Sequence, residues 1–161
     1  MIFGMTPFTL FHVVLSLVGI VSGFVVLYGW LHSDRMSGWT ATFLFTTVAT
    51  VVTGFLFPFS VFTPAIGVGI ITGLFLIGAL VALYRYRLAG RWRAVFILCS
   101  TVSLYFNTFV LVVQSFLKID ALNALAPNGN EPPFAIAQAI VLLFFVIVGQ
   151  QALKRFHPLP A

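Results

Sequence analysis

Residues 92–117 read WRAVFILCSTVSLYFNTFVLVVQSFL. A helix needs roughly 20 apolar residues to cross the hydrocarbon core of a bilayer, and this run exceeds that length with Arg93 near its start as its only charge. It therefore reads as a membrane span. Asn107 and Gln114 interrupt it, about two helical turns apart on one face. A buried amide without a partner in hydrocarbon costs several kcal/mol, so these two side chains need an explanation.

The rest of the chain has the same character. Its 161 residues are 61% hydrophobic and 7% charged, with a mean hydropathy of +1.13. Soluble domains carry about 25% charged residues, so a chain this poor in charge cannot cover a water-facing surface. Four further stretches are long and apolar enough to span: 8–31, 39–57, 64–86 and 133–153. Pro7, Pro58, Pro64, Gly90 and the pair Pro132-Pro133 punctuate their ends, as helix boundaries require. The first stretch lacks a basic leader and is too apolar for too long to be a signal peptide, so it is expected to stay as a helix. The sequence thus predicts one all-α domain over 1–161, a polytopic bundle of five transmembrane helices. The connection 118–132 is the only long one, and ALNALA within it suits a short surface helix ahead of a Pro127-Asn128-Gly129 turn.

Charge placement sets the expected orientation. The chain has eight Lys and Arg against three Asp and Glu, a net charge of +5. Arg35, Arg85, Arg87, Arg91, Arg93, Lys154 and Arg155 fall on one side of a five-span protein, and Lys118 on the other with Asp120 and Glu131. The positive-inside rule places the N-terminus outside and the C-terminus in the cytoplasm. These arginines read as topology signals that also attract anionic headgroups, with no nucleic-acid partner. Trp30, Trp39, Tyr84, Tyr86 and Trp92 gather at the same side, at headgroup level.

Small and polar residues mark helix contacts in a membrane. His12, Ser16, Gly19 and Gly23 form one stripe on the first span. Thr42, Thr46, Thr50 and Thr53 form another on the second. Gly19 and Gly23, like Gly69 and Gly73, are GxxxG pairs suited to packing within the chain, to a homo-oligomer or to a membrane partner. The cysteine Cys99 reads as a small packing residue. His12, Thr53, Gln114 and Gln138 are expected within about 8 Å of the outer boundary, at about 1.5 Å rise per residue, with Asn107 about two turns deeper. The sequence therefore predicts a polar layer under the outer surface, shared by four helices and floored by Asn107. Phe57, Phe59 and Phe134 would form its apolar rim.

Several chemistries are disfavoured. No Asp, Glu, Lys or Arg lies in the middle of a span, which argues against a proton-coupled pump. A bis-histidine haem needs ligands on opposite sides of the iron. His12 and His32 sit at opposite ends of one helix, so only a dimer could share a haem between two His12. A metal site built from His12 with Asp120, Glu131, Met1 or Met5 matches no known ligand spacing. Ser16 beside His12 lacks an orienting carboxylate and an oxyanion donor.

Four segments together carry a resemblance: FHVVLSLVGI, TTVATVVTGFLFPF, LYFNTFVLVVQSFLKI and EPPFAIAQ. The chain resembles a group of small, uncharacterised bacterial integral membrane proteins. The resemblance implies a bacterial inner-membrane location and brings no activity or cofactor with it.

The expected function is a non-enzymatic membrane protein that binds a small amphipathic ligand, a lipid or quinone headgroup, or a partner protein. His12, Asn107, Gln114 and Gln138 would supply hydrogen bonds, assisted by Thr53. A redox-associated subunit carrying haem or quinone, and a small transporter or channel, are the alternatives.

Overall fold

The computed structural model describes residues 6–58 and 60–158. Met1, Met5 and Phe59, named above as candidate ligands or rim, lie outside the described residues. The elements are α1 (Pro7–Leu31), α2 (Ser37–Phe55), α3 (Pro64–Leu80), α4 (Trp92–Lys118), α5 (Asp120–Asn123) and α6 (Pro132–Arg155), and among the described residues no strand occurs. A π-helical turn, Val81–Arg85, continues α3. Five helices are long and apolar enough to cross a membrane. This is the architecture of a multi-pass membrane protein. The expected short helix in the long connection is α5.

The helix ends follow local chemistry. Thr6 Oγ1 accepts from the Thr9 N–H at 3.2 Å, with Pro7 opening α1. Thr63 does the same for Ile66 at 3.4 Å, ahead of Pro64. Both combine a side-chain cap with a proline whose missing N–H costs nothing at that position. Asn123 Nδ2 donates to the Phe116 carbonyl at 3.1 Å, closing the C-terminal turn of α4.

Sequential helices run up and down. α2 packs on α1 and α3, α3 on α4, and α4 on α1 and α6. The helix that carries Asn107 is therefore the centre of the bundle. Its inner partners are small: Gly23 admits Leu104 and Phe43, and Gly149 on α6 admits Thr101. Gly69 meets the ring of Phe55 and Gly73 meets Val51, which brings α3 against α2. All four GxxxG glycines thus face helices of their own chain. An oligomer formed through them would first have to part those helices.

Large buried side chains concentrate toward one end, with Trp30, Phe43, Leu44, Phe96, Ile97 and Phe156 almost fully enclosed. Trp30 sits edge-on to Phe96 at 5.5 Å and 6.0 Å from Phe156. Arg93 Nη1 donates to the carbonyls of Leu153 at 3.1 Å and Phe156 at 2.6 Å. The His157 N–H donates to Ser33 Oγ at 2.8 Å. These bonds draw the C-terminal turn back over the bundle. Arg35, Arg85, Arg87, Arg91, Arg93, Lys154 and Arg155 lie at the helix ends and connections of this side. Outward, α6 exposes Ile136, Ile140, Leu143 and Ile147, a surface that suits acyl chains and not water.

Candidate functional site

Most hydroxyls in the bundle satisfy themselves. Ser22, Thr46, Thr50, Thr72, Ser103 and Thr108 each donate to the carbonyl one turn back, at 2.6–2.9 Å. Such back-bonding leaves little capacity for anything else. The polar groups with unused capacity are therefore the informative ones.

His12 and Thr53 meet across α1 and α2, with Nδ1 and Oγ1 2.8 Å apart. Thr53 Oγ1 also lies 2.7 Å from the Ala49 carbonyl, to which its only proton goes. With that arrangement Nδ1 is the donor to Thr53, a tautomer that leaves Nε2 as the ring's acceptor. The ring stands edge-on to Phe57 at 5.2 Å, and Phe57 lies 4.9 Å from Phe8. Gly54 lies beside the ring: a Cβ there would sit in ordinary contact, 3.5 Å from His12 Cε1.

Asn107 lies deeper, about 10 Å along α1 from His12 at the helical rise, because its counterpart there is Gly19. A Cβ on Gly19 would meet Thr47 Oγ1 at 3.2 Å, Thr46 Oγ1 at 3.3 Å and Asn107 Nδ2 at 3.7 Å. Thr46 donates to the Thr42 carbonyl. Thr47 Oγ1 and Asn107 Nδ2 are buried and have no partner. Two unsatisfied polar groups thus flank one glycine where α1, α2 and α4 converge. Buried polar groups are almost always paired. Trp30 Nε1, Ser100 Oγ, Thr101 Oγ1 and Gln138 Oε1 are also unpartnered, and this pair is distinguished by meeting at one glycine.

The two glutamines go elsewhere. Gln138 Nε2 donates to the Phe109 carbonyl at 3.2 Å, clamping α6 to α4, while its Oε1 is buried without a partner. Gln114 is on the exposed surface. It shares a face of α4 with Asn107 but extends beyond the converging part of the bundle. Phe134 packs edge-on to Phe116 at 5.4 Å, apart from Phe57. The expected layer is therefore resolved into a His12–Thr53 pair, an Asn107–Thr47–Gly19 floor and a Gln138 clamp.

Sequence reasoning missed Thr47. The threonine stripe at 42, 46, 50 and 53 drew attention away from its neighbour, which is fully enclosed. The doublet Thr46-Thr47 was the available signal: two adjacent threonines cannot both lie on one stripe, so the second addresses another helix. Among the described residues, no group of three His, Cys, Asp or Glu side chains could hold a metal ion. No family model, curated protein or solved structure matches the chain.

Proposed function

We propose that this is a non-enzymatic multi-pass membrane protein that holds the polar group of a small amphipathic molecule, a lipid or quinone headgroup, between α1, α2 and α4. One observation carries the reading: Asn107 Nδ2 and Thr47 Oγ1 are buried without partners, both beside Gly19. A carbonyl or hydroxyl accepting from Asn107 and pairing with Thr47 would remove a penalty of about 1–3 kcal/mol for each unpaired group. His12 Nε2, nearer the end of α1, would offer a further hydrogen bond, and Phe57 an apolar wall beside it. Gln114 and Gln138 would act at the margins, Gln138 by fixing α6 on α4.

We assign the His12 end to the periplasmic side of a bacterial inner membrane and the C-terminal tail to the cytoplasm. The support is the gathering of seven of the eight basic residues at the other end, together with the resemblance described above.

The test is mass spectrometry of small molecules extracted from the purified protein. A lipid or quinone enriched over the surrounding membrane, and depleted about tenfold in Asn107→Leu, is the expected result; one polar contact of about 1.4 kcal/mol corresponds to that factor. No bound molecule, with Asn107→Leu and Thr47→Val both as stable as the parent, would reduce the site to helix packing. A Soret band in the absorption spectrum would replace the reading with a haem protein.

A further inference from the structure

The basic end contains a mainly apolar cavity with a polar edge, remote from Asn107. It has a volume of about 170 Å³ and lies between the start of α2, the end of α3, α4 and the C-terminal turn. Leu83, Leu88, Phe96 and Phe156 give it apolar walls; Arg35 and Tyr84 are polar lining, as is Thr40, whose hydroxyl is used on the Arg35 carbonyl at 2.9 Å. Arg35 is partly buried, and its guanidinium has no hydrogen-bond or ion-pair partner among the described residues. The adjacent Asp34 forms no ion pair with it; its Oδ1 accepts from the Met36 N–H at 2.9 Å. Ser37, the first residue of α2, also lines the cavity, and no side chain caps that helix. Its free amides add positive potential to that of the arginine.

The backbone around this cavity is held in an unusual state. The non-glycine residues at positive φ among the described residues are Ser33, Met36, Arg87 and Leu88, all at this end. Met36 (φ 41°) joins Arg35 to Ser37, and Leu88 (φ 62°) forms a wall. The π-helical turn Val81–Arg85 displaces Leu83 and Tyr84 from α-helical register at the same place. Such conformations are costly and gather where a site needs them. Trp39 and Tyr84 are exposed beside the opening, at the depth expected of lipid headgroups.

We propose that this cavity binds one anionic phospholipid, its phosphate on Arg35 and its first acyl carbons against Leu83, Leu88 and Phe156. A guanidinium suits a phosphodiester, and the apolar walls favour a lipid over a free anion. This proposal is independent of the Asn107 site.

The experiment is native mass spectrometry of the full chain released from vesicles of equal parts phosphatidylglycerol and phosphatidylcholine. One retained phosphatidylglycerol is expected, reduced about tenfold by Arg35→Gln and unchanged by Arg91→Gln, which removes the same charge elsewhere. Ala41→Phe, which fills the lined space and keeps every charge, should lower retention as well. Equal losses in Arg35→Gln and Arg91→Gln would leave only a diffuse field and overturn the site. Equal retention of phosphatidylcholine would do the same. Inorganic phosphate binding the detergent-purified protein as tightly as the lipid would transfer the site to a soluble anion.

Discussion

A methyl group added at Gly23 would lie 2.5 Å from Leu104 Cδ1 and 3.0 Å from Phe43 Cδ2. Both neighbours are almost fully enclosed, so neither can move aside. At Gly73 the nearest atom, Val51 Cγ1, is at an ordinary 3.7 Å. The same substitution should therefore have opposite signs at two positions that look alike in sequence. Gly23→Ala is expected to cost about 1–3 kcal/mol through overpacking. Gly73→Ala should be neutral or slightly stabilising, since alanine is the better helix former by about 1 kcal/mol. Reversible unfolding in mixed micelles measures both, and equal effects would contradict the packing of α1 against α4. Neighbouring polar residues diverge in the same way. Thr46 returns its proton to the Thr42 carbonyl, whereas Thr47 faces Gly19 with nothing to bond.

Among the elements, the approach to α6 depends on one carboxylate. Glu131 Oε1 accepts from the Asn128 N–H at 3.0 Å and from Asn128 Nδ2 at 2.7 Å, and Oε2 from the Asn130 N–H at 3.1 Å. Desolvation pushes its pKa upward, but these donors outweigh it and hold the carboxyl below its ordinary range. A depressed folded-state pKa means that the carboxylate stabilises the turn above the unfolded-state value, and that this support is lost as pH falls through the folded-state value. The protection of the 128–131 and Phe134 amides, their exchange relative to the intrinsic rate at each pH, should therefore fall on acidification through the carboxylate range. Glu131→Gln should exchange faster at neutral pH and lose that dependence. A variant with the parent's pH profile would assign the effect to another group. The start of α6 was legible from Pro132-Pro133, but the bonded turn before it was not, because it depends on a side chain folding back over its own loop.

For the whole molecule, the decisive feature is an apolar exterior around a partly polar interior. Leu143 lies near the middle of α6 and is 59% exposed. In a water-soluble bundle, Leu143→Asp would change stability by about 0.5 kcal/mol or less. In a bilayer an aspartate at a helix centre costs about 2.5–3.5 kcal/mol on insertion scales. An insertion assay on the full chain should show α6 failing to integrate in that variant. Normal integration would count against a lipid-facing α6.

Sequence alone was sufficient for five spans, their ends within a few residues and the segregation of charge to one end. Each of these depends on hydropathy summed over a window or on a proline or threonine at a boundary, both local quantities. The sequence also picked out His12, Thr53, Asn107 and Gln138 as polar groups needing partners. It could not say which partners they would find. Placing Asn107 beside Gly19 and Thr47, bonding Gln138 to the Phe109 carbonyl and leaving Gln114 outside required the rotation and separation of whole helices. Those are set by contacts such as Gly23 with Leu104, between residues far apart in the chain. The cavity at Arg35 was less legible still, since it combines a left-handed residue, a π-helical turn and a folded-back tail that meet only in the assembled bundle.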